Sequence, residues 1–172
     1  MSDDLIWHLE SQTIPAAFAL LPGAMTSREA VAMLLAIGLQ ESGFSARRQG
    51  GSPTTVGTGP ARGFWQFERG GGVAEILSSP NTKDIIVPIV KLFCFQPTAV
   101  ACHEAIQNHD VLAVCFARLL LWRDPRTLPG PHDPHTGWDI YLKNWRPGKP
   151  HESTWQWHFN HAWQIARGVA LV

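Results

Sequence analysis

Ala30, Leu34, Ile37 and Glu41 follow one another at intervals of four, three and four residues, a spacing that places all four side chains on one stripe of a helix. Three are apolar and seek the core, so the stripe carries the Glu41 carboxyl inward with it. Burial disfavours the charged form, and so does the C-terminal end of a helix. A carboxyl that keeps its proton near neutral pH is suited to protonating an oxygen as its bond to carbon breaks. Further along, Pro60-Ala61-Arg62-Gly63-Phe64-Trp65-Gln66-Phe67-Glu68 interleaves glycine, aromatic rings and an amide. This segment reads as one wall of a cleft. The backbone approaches a ligand closely at Gly63, Trp65 offers a ring face, and Gln66 offers donor and acceptor to sugar hydroxyls or acetamido groups. Trp138 and Tyr141, with Trp145 and Trp155, are candidates for the opposite wall, and Arg62 and Arg146 for contacts with substrate carboxylates.

These side chains need rigid elements to hold them. Thr26 and Glu29 form a capping-box pattern ahead of the apolar body Val31 to Leu39, which predicts a helix from about Ser27 to Ser42, ending near Gly43. Residues 45 to 63 have no 3.6-residue period and predict an ordered loop or small strand-bearing lobe. Short helices are expected in residues 5 to 22, over Val73 to Leu77, and over 82 to 95 and 98 to 108, the last capped by Thr98. Val111 to Trp122, with Asp110 as its cap, lacks a polar face and is expected to be the buried central helix. Residues 124 to 137 hold Pro125, Pro129, Pro131 and Pro134 and predict a fixed loop. Helices near Trp138 to Asn144 and from Ser153 to about Gly168 follow. The class is mainly α, and 172 residues suit one domain spanning 1–172.

Glu41-Ser42-Gly43-Phe44, followed after a polar stretch by Gly59-Pro60-Ala61-Arg62-Gly63-Phe64-Trp65-Gln66, resembles the pattern of soluble lytic transglycosylases and goose-type lysozymes. In those proteins a helix ends in Glu-Ser and a later Gly-x-x-Gln segment supports the sugar site. The matched motifs cover about residues 34 to 68. The resemblance implies a lysozyme-like fold with a central helix and a small lobe beside a cleft. It implies cleavage of the β-1,4 bond between N-acetylmuramic acid and N-acetylglucosamine in peptidoglycan, with Glu41 as catalytic acid, Ser42 beside it and Gln66 on the substrate side. Family members often carry a serine followed by Gly-Ala where this chain has Gly59-Pro60-Ala61, which leaves that serine's role unassigned. Hydrolysis calls for a second carboxylate, and the candidates are Glu68, Asp124 and Asp139. A lytic transglycosylase needs none, because the substrate's own hydroxyl closes an anhydro ring. Looser similarity of the Trp122-Arg123-Asp124-Pro125-Arg126 and Trp145 to Pro150 stretches to phage lysozyme-like proteins implies an endolysin or a virion part. The alternative is a non-catalytic virion structural or adaptor protein on the same scaffold.

Composition narrows the remaining classes. Lys plus Arg equal Asp plus Glu at 14 each, and charged residues make up 16%, so no basic field seeks nucleic acid. Eight Trp stand against one Tyr, which serves irregular cores and sugar stacking alike. The eight His lack a His-Glu-x-x-His pattern, and Cys94, Cys102 and Cys115 lack paired zinc spacing. No metal and no cofactor are expected, and the cysteines read as reduced core residues. Gly70-Gly71-Gly72 has no Lys-Ser or Lys-Thr behind it and reads as a turn. Asp3 and Asp4 are the wrong charge for a signal peptide, and no apolar run is long enough for a membrane span. The expected picture is a monomer made in a host cytoplasm. It would act on glycan strands in the periplasm or cell wall, released by a holin-type system or carried with other virion proteins.

Overall fold

In the computed structural model, which describes residues 3–52, 55 and 57–166, the chain is mainly helical. Helix α1 (Asp3–His8) runs through a π-helical turn, Leu9–Thr13, into α2 (Ile14–Phe18), and a short turn over Gly23–Met25 leads to α3 (Arg28–Ser42). After an irregular lobe, a π-helical turn over Arg69–Val73 continues as α4 (Ala74–Ser78), followed by α5 (Lys83–Leu92) and α6 (Ala99–Ala105). Helices α7 (Asp110–Trp122), α8 (Pro134–Trp145) and α9 (Glu152–Ala166) complete the described chain. The expected continuation of the last helix to Gly168 lies outside the described residues.

Helix α7 is the enclosed helix that its composition predicts, with every residue from Leu112 to Leu121 buried. Helix α3 is enclosed as fully, since every residue from Ala30 to Leu39 is buried. It packs against α9 on one side and α7 on another. Its N-terminus differs from the expected capping box by one residue: Ser27, in an extended conformation, accepts from the Ala30 N–H at 3.1 Å. The C-terminus closes at Gly43, whose N–H returns to Leu39 O at 3.0 Å. Thr98 caps α6 as expected. For α7, His109 takes the capping role through Nδ1, because Asp110 is engaged by Arg47, whose Nη2 donates to Asp110 Oδ2 at 2.7 Å. Helix α8 begins four residues before the expected start. Pro134 sits at the first helical position, where a missing N–H costs nothing, and Asp133 caps it.

The lobe over residues 45 to 67 holds isolated bridges, Arg48 with Arg62 and Arg62 with Phe67, and no regular strand among the described residues. Cys102 and Cys115 are buried free thiols, whereas Cys94 is exposed, a correction to the core reading of all three. Helix α5 stops at Leu92, and Cys94 adopts a left-handed conformation (φ 61°) that turns it outward despite apolar neighbours. Among the described residues, no helix is long and apolar enough to cross a membrane, and no group of His, Cys, Asp and Glu could hold a metal ion.

Candidate active site

The end of α3 is bound to the Gly63–Gln66 segment through one hydroxyl. Ser42 Oγ donates to Phe64 O at 2.7 Å and accepts from the Phe44 N–H at 3.1 Å. Phe44 can fold back because position 38 has no side chain: a Cβ on Gly38 would stand 2.3 Å from the Phe44 ring. The Phe44 ring then meets Phe64 and Trp65 edge-on, at centroid distances of 5.5 and 5.9 Å. Gly63 holds φ +71°, and a Cβ there would lie 2.7 Å from Ile106 O, so the turn needs glycine for both conformation and space.

Glu41 is partly buried at this junction. Tyr141 donates its hydroxyl proton to Glu41 Oε1 at 2.7 Å, across a sequence separation of 100 residues. The carboxyl is raised to about 7 from its ordinary 4.5; burial is the main cause, and the charge of Glu68 adds to it against the lowering effect of the Tyr141 bond. Among the described residues, no lysine, arginine or histidine forms an ion pair with Glu41. Burial and the facing Glu41 carboxyl hold the Tyr141 phenol well above its ordinary value, so it remains a donor. With Oε1 accepting from Tyr141, the proton of the neutral acid is left to Oε2. This is a carboxyl that titrates around neutrality and is fixed by one bond, as proton donation to a leaving oxygen requires.

Tyr141 is itself fixed by rings. It stacks on Trp155 at 5.4 Å with planes 11° apart and lies 5.2 Å from Trp138, while Trp155 Nε1 donates to Pro134 O at 2.7 Å. One turn along α8, Trp145 Nε1 donates to Trp65 O at 2.9 Å. Helix α8 therefore grips both the acid and the residue next to Gln66. Gln66, partly exposed and left-handed at φ 48°, turns its amide nitrogen to Gly63 O at 2.8 Å.

Several expected site residues have other employment. Trp65 is fully buried, with Nε1 donating to Leu34 O at 2.8 Å, and is a core residue rather than a cleft wall. Trp138 is buried at 6% exposure among the rings that hold Tyr141. Tyr141, at 2% exposure, positions the acid instead of presenting a face to sugar. Arg62 folds onto its own loop, with Nη1 donating to Gly59 O at 2.6 Å and Pro60 O at 3.1 Å. Arg146 joins Arg123 on Glu75, and Trp155 is core.

Of the candidate second carboxylates, Glu68 is exposed, and its charge is felt at Glu41. Asp139 is exposed in the middle of α8, 3.6 Å from His135. Asp124 is buried, accepts from Arg126 Nε, Arg126 Nη2 and Asn144 Nδ2 at 2.9, 2.8 and 3.1 Å, and lies 3.4 Å from Lys143 Nζ. The Arg126 hydrogen bonds lead in holding its carboxyl well below the usual range, so it ties the Pro-rich loop to α8. Asp124→Ala is expected to cost roughly 2–3 kcal/mol near neutral pH. Because the folded value is depressed, this contribution exists above the ordinary 3.8 and fades as pH falls through and below it. Urea unfolding of both proteins at pH 7 and pH 3 checks it, and an equal difference at the two values would contradict the assignment.

Tyr141→Phe removes the one contact that lowers the Glu41 value while leaving the ring stack in place. Glu41 is then expected to titrate above about 7, its value with Tyr141 present. A carboxyl 13C titration of the two proteins reads this directly. An unchanged or lower midpoint would show that Tyr141 does not hold the acid.

Comparison of the chain with protein-family models, curated proteins and solved structures returns no match, so the functional reading rests on this geometry and on the motif resemblance.

Proposed function

We propose that this protein cleaves the β-1,4 glycosidic bond between N-acetylmuramic acid and N-acetylglucosamine in peptidoglycan, with Glu41 as proton donor and a lysozyme-like scaffold around it. The observation that carries the reading is the Glu41 carboxyl, raised to about 7, free of a cationic partner among the described residues and bonded through Oε1 to Tyr141. A carboxyl in that state is protonated in a large fraction of molecules near neutral pH, so it delivers a proton as the glycosidic C–O bond breaks. The Glu-Ser end of α3 lies against the Phe64–Gln66 turn, the juxtaposition that the resemblance to soluble lytic transglycosylases and goose-type lysozymes calls for.

After departure of the leaving group, the ionised Glu41 takes a proton from the attacking hydroxyl. Water gives a reducing sugar; the C6 hydroxyl of the muramic acid residue gives an anhydro ring. Asp124 is held by Arg126 and Asn144, and Glu68 is the candidate carboxylate whose charge reaches Glu41, so it serves a hydrolytic route. Mass analysis of muropeptides released from purified sacculi tests activity and product together, since the two products differ by one water. No released muropeptide from folded protein would overturn the reading in favour of a non-catalytic scaffold protein.

A further inference from the structure

Arg48 and Arg62 form a cationic fork on the lobe that carries Gln66. The Gln49 N–H donates to Ala61 O at 3.1 Å and the Gly63 N–H to Arg47 O at 2.8 Å, which makes Arg48 and Arg62 the directly opposed antiparallel pair between those two bonds. Opposed residues of this kind project to one face, at the closer of the two spacings that an antiparallel ladder allows. Both side chains then bend to one carbonyl: Gly59 O accepts from Arg48 Nε at 3.2 Å and from Arg62 Nη1 at 2.6 Å. Two cations thus stand side by side around a single oxygen. Among the described residues neither arginine forms an ion pair, although the charge of Glu104 reaches Arg62. The bonds of Arg62 Nη1 to its own loop fix the fork without consuming it. Arg48 Nη1 and Arg62 Nε and Nη2 have no hydrogen-bond partner among the described residues, and both side chains are half-buried rather than enclosed, so these donors open to solvent.

Like charges directly opposed on neighbouring strands destabilise the pairing. A planar carboxylate bridging the two guanidinium groups replaces that repulsion with charge-assisted hydrogen bonds. The Glu104 charge at Arg62 favours a singly charged carboxylate over a phosphate dianion. Arg62 also closes the turn that holds Gln66, since its N–H donates to Phe67 O at 3.0 Å and accepts the Phe67 N–H on its own carbonyl at 2.9 Å. Ser42 binds that turn to the end of α3, so the fork belongs to the segment that joins Gln66 to the helix of Glu41. Resting on the peptidoglycan reading, we propose that Arg48 and Arg62 together bind a carboxylate of the peptide stem borne by the muramic acid residue. A glycan without such a stem gives these donors no peptide carboxylate to hold.

Cosedimentation of the protein with purified sacculi on ice, at about 0.15 M salt, tests this. The probes are native sacculi and sacculi whose carboxyl groups have been amidated with carbodiimide and ammonia. The wild-type protein is expected to bind native sacculi about tenfold more tightly than amidated ones, and Arg48→Gln and Arg62→Gln should each reduce that preference. Lys91→Gln, which removes an exposed cation at the end of α5, should behave as the wild-type protein does on both. Thermal unfolding confirms that each variant is folded. No binding of native sacculi, equal binding of the two preparations, a full preference in folded arginine variants, or an equal loss in Lys91→Gln overturns the proposal. If an arginine variant does not fold, the wild-type comparison and Lys91→Gln still decide. Muropeptide release is measured separately: cleavage without the preference sinks this inference alone, and the preference without cleavage sinks the glycosidase reading alone.

Discussion

Replacing Glu41 by glutamine is expected to lower the rate of glycan cleavage by about 10²-fold or more while the protein stays folded. The amide preserves shape, and its oxygen still accepts the Tyr141 hydroxyl that reaches Oε1 at 2.7 Å, but it has no proton to give a departing oxygen. The same substitution has a signature in stability. In the folded chain Glu41 titrates near 7, and in the unfolded chain near 4.5. Between those values the unfolded chain has released a proton that the folded chain retains, so the wild-type protein loses stability as pH rises through the window and stays at the lower level above it. Glu41→Gln escapes that loss. It is expected to be the more stable protein above pH 7, by on the order of 2–3 kcal/mol, with the difference vanishing below about pH 4. Turbidity clearance and urea unfolding across pH measure the two effects. A folded variant that clears peptidoglycan at the wild-type rate removes Glu41 from the mechanism, whereas parallel stability profiles would show that the carboxyl is not raised.

Trp65→Ala is expected to be the most damaging single change near the site, costing roughly 3–5 kcal/mol, a fall of about 10 °C or more in Tm for a chain of this size. The ring is fully buried, meets Phe44 edge-on at 5.9 Å and donates to the α3 backbone at Leu34 O. Removing it opens a cavity between α3 and the turn that carries Gln66. Thermal unfolding reads the effect. A variant with wild-type Tm but weakened sugar binding would return Trp65 to a cleft wall.

What was legible in the sequence was what local chemistry decides. The Thr26–Glu29 pattern, one residue ahead of the serine that caps α3, glycine at the helix end and the featureless apolar run of α7 each act within a few residues, and the helices lie close to where those signals place them. The spacing of Ala30, Leu34, Ile37 and Glu41 singles out the carboxyl less than one buried stripe would. Helix α3 is buried all round from Ala30 to Leu39, so Leu34 and Ile37 mark no special face. The acid meets Tyr141 of α8 at the helix end, a contact that the stripe does not foretell. Nothing in a sequence distinguishes a tryptophan ring facing sugar from one facing leucine, and Trp65 and Trp138 both face the core. The sequence pattern puts Asp139 in the first turn of a helix, whereas α8 begins at Pro134 and Asp139 lies in its second turn. The Glu41–Tyr141 pair had no local signal, since neither residue's neighbourhood predicts the other.

That pair also sets an order of events during synthesis. Glu41 leaves the ribosome long before Tyr141, and a chain ending ahead of Pro134 would have α3 without the phenol and rings of α8 and α9 that enclose its end. In such a nascent chain the Glu41 side chain is hydrated and ionised at neutral pH, and so is no proton donor. The contact is among the most non-local in the fold, and such contacts close only after the intervening chain has been ordered. The raised Glu41 carboxyl thus depends on both parts of the fold: translation must deliver α8 and α9 before Glu41 can keep its proton near neutral pH.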